Sequence, residues 1–344
     1  MELAFLTGGT GFVGANLARL LLKEGFRVRA LARAGSDRRN LAGLDLEIVE
    51  GDLGDPLVLE HACKGARYVF HVAADYRLWA PDPAPLYAAN VQGTVNVIEA
   101  AAQAGAEKIV HCSSVAAVKV KDGAAADETS EYLSADEIVS DYKRSKWLGE
   151  QAALELAQKG APVVIVNPST PIGPYDIKPT PTGRIVVDFL NGKLPSYVDT
   201  GLNIIHVADV AMGHLLAARQ GRVGERYILG CENWALKKVL EVLADLTGLA
   251  APRFETPYAV AYAFGALDSA RARLFGGEPM APLDAVRMAR HKMFFDARKA
   301  VRELGLPQTP ARQALADAVR WFQENGYVKR RLAVVPSPAE GGKA

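Results

Sequence analysis

The stretch "LAFLTGGTGFVGANLARLLLKEG" (residues 3–25) decides how the rest of the chain is read. Its opening "LAFLT" predicts a short buried strand. Its closing "ANLARLLLKEG" carries apolar residues at helical spacing and stops on Gly25. Between them, Gly8, Gly11 and Gly14 form the pattern GxxGxxG. The first glycine permits a tight turn, the second lets the backbone approach a pyrophosphate, and the third lets helix pack closely on strand. The helix N-terminus then offers free N–H groups and the positive end of its dipole. Thr7, Gly8, Gly11, Phe12, Val13 and Gly14 are therefore candidate cofactor-binding residues, against the alternative of a glycine turn without a ligand.

Working outward, "RVRALAR" (27–33), "LEIVEGD" (46–52), "ARYVFHVAA" (66–74), "KIVHCSS" (108–114) and "PVVIVNP" (162–168) read as further strands. A helix over 85–103 and another over 141–160 lie between them. Strands alternating with long helices imply parallel pairing and right-handed crossovers. The predicted fold class is α/β, a doubly wound parallel sheet of Rossmann type. After Pro168 the pattern breaks. "PSTPIGPYDIKPTPTG" (168–183) reads as a loop, and "IIHVADVAMGHLLAARQ" (204–220) as a strand and helix returning to the main body. "NWALKKVLEVLADLTG" (233–248) and "YAVAYAFGALDSARARLF" (258–275) read as amphipathic helices of a smaller, mainly helical lobe. The expected organisation is a dinucleotide-binding domain at 1–168 to which 204–232 returns, a substrate lobe at 169–203 and 233–330, and a disordered tail at 331–344.

Net charge is +1, which gives no reason to expect nucleic acid or an acidic surface as partner. Cys63, Cys112 and Cys231 are far apart and form no CxxC, which fits a reducing, cytoplasmic setting. The start "MELAFLTGG" lacks a basic leader, and no apolar run is long enough for a transmembrane segment. His61, His71, His111, His214 and His291 show no metal-ligand spacing, so no metal is expected.

Cofactor type is read at the end of the second strand, where an NAD site usually carries an acid. Here Ala32 is followed by Arg33, Ser36, Arg38 and Arg39, no carboxylate is read at that place, and a guanidinium suits a 2′-phosphate. NADP(H) is preferred over NAD(H), with Arg33 and Arg38 as its partners. The competing reading is a solvated, arginine-rich edge.

"TGGTGFVG" (7–14), "GDLGD" (51–55), "VFHVAA" (69–74), "NVQGTVNVIEAA" (90–101), "CSS" (112–114) and "YKRSK" (142–146) follow in this order. Over about residues 1 to 330 the chain resembles the extended short-chain dehydrogenase/reductases, the NAD-dependent epimerase/dehydratase family. Within them it is similar to the dihydroflavonol-4-reductase-like branch. Through "GRVGERYILGCEN" (221–233) and "ALADAVRWFQENGYV" (314–328) it resembles the hopanoid-associated sugar epimerases. The resemblance implies Ser114, Tyr142 and Lys146 as the catalytic set, Lys146 also holding the nicotinamide ribose. It implies that Asp52 and Leu53 meet adenine, that Ala73 and Ala74 line the pyrophosphate path, and that Ser113 serves the cofactor or the strand. Pro168, Ser169 and Thr170 are implied to border the nicotinamide, and Asn90 and His206 to be structural. Helices 85–103 and 141–159 form a homodimer's four-helix bundle in many relatives.

Tyr142 and Lys146 are i and i+4, hence on one helix face. Alone, such a pair reads as a surface pair. Within the ordered motifs, an ammonium about 5 Å from a phenol at an effective dielectric near 20 favours phenolate by roughly 3 kcal/mol, about two pKa units. The Tyr142 pKa is therefore expected to fall.

The substrate is expected to be a small carbonyl or alcohol, a sugar, or a lipid-like molecule. Nucleotide-sugar epimerases of the family commonly carry an Arg–Asp pair before "HV", where this chain has Leu202 and Asn203 in "GLNIIHV". That departure favours a reductase over an epimerase; a non-catalytic NADP-binding protein is a third reading. Asp75, Tyr76, Trp79, Val115 and Tyr175 follow the C-terminal ends of strands, where such sheets bind ligands. Tyr76 and Trp79 read equally as lobe-packing aromatics.

Overall fold

The computed structural model describes residues 1–330. The expected tail at 331–344 lies outside the described residues. In the first half of the chain come β1 (Leu3–Thr7), α1 (Phe12–Lys23), β2 (Arg27–Ala32), β3 (Glu47–Glu50), α2 (Pro56–Cys63) and β4 (Tyr68–His71). They are followed by α3 (Ala84–Tyr87), a π-helical turn (Ala88–Gln92), α4 (Gly93–Gln103), β5 (Lys108–Cys112), α5 (Asp141–Gln158) and β6 (Val163–Pro168). The second half begins with β7 (Thr170–Ile172), α6 (Pro181–Leu190), β8 (Ser196–Tyr197), β9 (Gly201–His206), α7 (Val207–Gln220) and β10 (Arg226–Leu229). It ends with β11 (Glu232–Ala235), α8 (Leu236–Thr247), β12 (Phe254–Glu255), α9 (Tyr258–Phe275), α10 (Leu283–Met288), β13 (Lys292–Met293), α11 (Arg298–Leu304) and α12 (Ala311–Glu324).

The main sheet has seven strands in the order β10-β6-β5-β4-β1-β2-β3, and every pair is parallel. It is the doubly wound sheet expected from the sequence. β1 is buried along its whole length because both faces are covered. One apolar layer joins α1 and α7 to the sheet through Leu17, Leu21, Val210 and Leu215. The other packs Leu59, Val97, Ile98 and Ala153 of α2, α4 and α5 against its far side. The strand order reverses between β1 and β4, so the crevice at their C-terminal ends is where such a sheet takes ligands.

Several elements differ from the sequence reading. The segment read as a loop after Pro168 contains β7, which pairs with β9 in the register Thr170↔Ile204, and the start of α6. Thr180 caps α6 through Gly183 N at 3.1 Å, with Pro181 in its first turn. β9 therefore joins a second, small sheet with β7, β11 and β13, while α7 and β10 go back to the large one. The first residues of "NWALKK" are strand β11, not helix. These strands are two to six residues long and depend on distant partners, so they leave little local signal.

The helix read over 85–103 widens into a π-helical turn at Ala88–Gln92. Asn90 lies in that turn and is 2% exposed. Its amide accepts from Asp75 N at 2.8 Å and donates to Asp75 O at 2.8 Å and Ser145 Oγ at 2.9 Å. One side chain thus ties the loop after β4 to α5. The crossing is close because α5 carries Gly149 there: a Cβ would overlap the Asn90 carbonyl. Gly149→Ala is expected to destabilise the fold by about 1–3 kcal/mol, read as a lower urea midpoint, despite alanine's better helix propensity.

Candidate active site

The glycine turn has the geometry its spacing predicts. Gly8 has φ 75°, and a Cβ there would lie 2.6 Å from Ala73 N at the end of the neighbouring strand. A Cβ on Gly14 would collide with the Gly8 carbonyl, so α1 can seat on β1 only with glycine at that place. A Cβ on Gly11 would meet only Gly8 O, at 3.3 Å, and is otherwise in open space. α1 begins at Phe12 with no side-chain cap and no acid in its first turn. A backbone cradle with uncapped N–H groups fits a dinucleotide pyrophosphate.

Beneath the turn runs a directional chain of hydrogen bonds. Ala73 N donates to Thr7 Oγ1 at 3.1 Å, and Thr7 Oγ1 meets His71 Nδ1 at 2.8 Å. His71 Nε2 meets Thr94 Oγ1 at 3.1 Å, and Thr94 donates to Asn90 O at 2.8 Å. Thr94 spends its proton on that carbonyl, so His71 donates through Nε2 and accepts from Thr7 through Nδ1. Burial, with a smaller push from Lys146, lowers His71 to about 3, so it is neutral. The buried-looking histidine of β4 is a structural link between β1 and α4.

At the end of β2, Arg33 is exposed, and its carbonyl accepts from Ser36 Oγ at 2.8 Å. Arg38 Nη2 pairs with Glu50 Oε2 at 2.5 Å, while its Nε is buried without a protein partner. The reading that the arginine turn has no carboxylate is corrected. Asp37 lies in it, gripped by Arg39, whose hydrogen bonds hold the Asp37 carboxyl at about 2. Asp52 turns back onto Gly54 N at 2.9 Å, and the Leu53 carbonyl accepts from Asn96 at 2.8 Å.

Across the sheet, β5 ends at Cys112 and delivers Ser113 and Ser114 to the crevice. Ser114 Oγ caps a short turn over Val115–Ala117 by accepting from Ala116 N at 3.1 Å. Ser113 is buried, and the hydroxyls of Ser113 and Ser169 have no protein partner. Lys146 is 4% exposed and donates to the Cys112 carbonyl at 2.9 Å. Burial lowers its pKa, and Cys112 and Glu150 partly offset that. Tyr142 departs from expectation. Burial raises its pKa above 10.0, the nearby Ser114 hydroxyl opposes the rise, and Lys146 is not among the groups that act on it. The ammonium is drawn to the Cys112 carbonyl, and desolvation of the phenol sets the direction.

The sequence reading missed the support behind this cluster. Glu150, one turn beyond Lys146, is fully buried. It accepts from Asn167 Nδ2 at 2.6 Å and pairs with Arg226 Nη1 at 2.9 Å. Asn167 also donates to the Ser114 carbonyl at 3.0 Å. Glu150 continues the Tyr142–Lys146 face at i+4, a signal the spacing carried.

The proposed pocket residues divide. The Asp75 carboxylate is engaged by Arg77 at 3.0 Å, and Tyr76 is 44% exposed beside the crevice. Trp79 is half-buried under the Arg273 guanidinium at 5.4 Å. Val115 lies in the turn that Ser114 caps. Tyr175 has φ 74°, the one non-glycine positive φ among the described residues. Its carbonyl accepts from Asn40 at 3.1 Å and its ring lies under Arg19 at 3.7 Å, so it belongs beside the glycine turn and α1. A surface cleft of about 730 Å³ runs along the β10 edge. Its charges pair with one another, Arg222 with Glu303 and Lys299 with Glu225, and none of Ser114, Tyr142 and Lys146 lines it.

Residues 4–230, which contain the glycine turn, the serines and the Tyr142–Lys146 helix, match the NAD dependent epimerase/dehydratase family. The chain belongs to that family. It is 51% identical over 331 residues to a Synechocystis protein provisionally named dihydroflavonol 4-reductase, covering 94% of this chain and 96% of that one. It is 35% identical over 325 residues to sterol demethylase protein B of Methylococcus capsulatus, covering 94% and 99%. Among solved structures, a nucleoside-diphosphate-sugar epimerase from Pseudomonas aeruginosa superposes with a TM-score of 0.80 at 30% identity, covering 95% and 99%. Proteins with such different names share one scaffold with this chain, so the scaffold alone does not name the substrate.

On β9, Leu202 is 9% exposed and part of the apolar cluster with Trp234, Leu240 and Phe322. Asn203 donates to Asn233 Oδ1 at 2.8 Å and Phe295 O at 3.1 Å, and accepts from Cys231 N at 3.0 Å. Both side chains are committed to packing. His206 caps α7 through Ala208 N at 2.9 Å and meets Asp317 of α12 at 3.2 Å, tying β9 to the last helix.

Proposed function

We propose that the protein is an NADP(H)-dependent oxidoreductase that interconverts a carbonyl and an alcohol. The observation that carries this reading is the Tyr142 phenol, kept protonated by burial and placed where the Ser114 hydroxyl acts on it. A phenol that holds its proton at neutral pH is suited to act as the acid in carbonyl reduction. The cofactor, when bound, supplies the hydride from nicotinamide C4. Ser114 holds the substrate oxygen, Tyr142 gives it a proton, and the carbonyl becomes an alcohol. Lys146, fixed by the Cys112 carbonyl, holds the nicotinamide ribose, with Ser113, Pro168, Ser169 and Thr170 bordering the ring. Gly8, Gly11, Phe12, Val13 and Gly14 hold the pyrophosphate, and Asp52, Leu53, Ala73 and Ala74 line the adenosine side.

Exposed Arg33, with Arg38 beside it on Glu50, supports NADP(H), because Asp37 is already neutralised by Arg39. An Arg–phosphate bond contributes about 1.5–3 kcal/mol, so Arg33→Ala combined with Arg38→Ala is expected to weaken NADPH binding roughly 10- to 100-fold. NADH binding should change little in the same fluorescence titration; an equal loss for both cofactors would reject the assignment.

Packing of Leu202 and Asn203 in place of a phosphate clamp supports a substrate without a nucleotide diphosphate. The sterol-related name of one relative supports an apolar alcohol or ketone. A sugar epimerase is the second reading, favoured by the Pseudomonas structure and by exposed Arg184 on α6. Absorbance of the purified protein separates the two. An epimerase that returns its cofactor to the starting state retains it, whereas a reductase exchanges it at every turnover.

A further inference from the structure

α9 is folded inside out. Its buried positions are Gly265, Asp268, Ser269 and Ala272. Asp268 accepts from Ala281 N at 3.0 Å and Ser269 Oγ from Leu283 N at 3.0 Å, while a Cβ on Gly265 would crowd Val286 at 2.9 Å. Small and polar residues thus close the hairpin with α10. The opposite face carries Val260, Phe264, Leu267 and Leu274 at i, i+4, i+7 and i+14, one stripe about 21 Å long. Leu267 is 73% exposed and Leu274 78%, followed by Phe275 at 82% and Met280 at 87%. A water-facing helix does not normally invert its polarity in this way.

Charge identifies what covers the stripe. Between Arg253 and Lys292 six Arg and Lys stand against four Asp and Glu, a net of +2 where the whole chain has +1. Arg253, Arg273 and Arg290 form no ion pair among the described residues, against Glu255 and Glu278 on the acidic side, while Lys292 pairs with Asp199. A second copy docked by a two-fold axis would bring this cationic segment against itself, whereas an anionic bilayer complements it. No helix among the described residues is long and apolar enough to cross a membrane, so the stripe lies in the surface plane. The hairpin also adjoins the crevice. Arg273 stands over Trp79, and Asp141, the residue before Tyr142, acts on Asp284 of α10.

We infer that the outer face of α9 docks the protein on an anionic lipid surface beside the mouth of the crevice. This stands on the helix and not on the reaction assigned above. The test is co-sedimentation of the intact protein with vesicles of roughly three parts phosphatidylcholine to one part phosphatidylglycerol, and with phosphatidylcholine alone. Binding is expected to the anionic vesicles, to weaken with salt, and to drop about tenfold or more in a Leu267→Glu, Leu274→Glu variant. An unchanged urea unfolding midpoint shows that the variant is folded. No binding to anionic vesicles, or equal binding by the variant, overturns the inference. So does light scattering showing a dimer that the two substitutions convert to monomer, because the stripe is then the contact of a second copy.

Discussion

Tyr142→Phe is expected to lower kcat for carbonyl reduction by about 10²- to 10⁴-fold while leaving NADPH affinity within about twofold. The substitution removes one oxygen and keeps the ring, so α5 packing and the Lys146 bond to Cys112 O persist. The lost group is the only proton donor the proposal gives to the substrate oxygen. The pH dependence follows from the direction of the pKa shift. Burial raises the phenol above 10.0, so the acid form predominates throughout neutral pH. The kcat/KM for reduction should be flat there and fall only as pH climbs through the raised value. Oxidation of the alcohol needs phenolate and should rise with pH over the same range. Steady-state rates in both directions check this. Unchanged reduction by the phenylalanine variant would remove Tyr142 from the mechanism, and a reduction rate that climbs with pH would reverse its assigned proton state.

That sign was hidden from the sequence for a physical reason. Spacing places Lys146 one turn from Tyr142, but a pKa depends on solvent and on what else the ammonium bonds, here the Cys112 carbonyl. The glycine turn was legible because strand, turn and helix are all local, and each glycine answers one steric demand at Gly8, Gly11 or Gly14. Asp37 was overlooked among arginines, although Arg39 makes it electrostatically quiet. The small sheet of β7, β9, β11 and β13 was not legible, since its strands pair residues far apart in the chain, as Thr170 with Ile204. α9 was legible as a helix with the observed ends, but its pattern does not say which face is buried. Periodicity assigns the apolar stripe inward by default, and only Asp268 and Ser269 on the hairpin side reverse it.

Glu150→Ala is expected to cost about 3–5 kcal/mol of folding stability, among the largest effects available to a residue outside the crevice. The carboxylate is fully buried and bridges three elements: α5, β6 through Asn167, and β10 through Arg226. Its removal strands a guanidinium that is only 8% exposed, leaving Glu131 and the Glu128 carbonyl as its partners. It also frees Asn167, whose amide fixes the Ser114 carbonyl, so NADPH-dependent turnover should fall with stability. Glu150→Gln should cost less than alanine, because the amide fills the space but sets a donor against the Asn167 donor. The decisive comparison is Glu150→Leu combined with Arg226→Met. Removing both charges deletes the desolvation burden along with the attraction, so urea unfolding should recover much of the loss seen with alanine alone. If Glu150→Ala unfolds at the wild-type urea midpoint, the buried pair does not hold α5 to the sheet, and the position of Lys146 must be set by its own bond to Cys112.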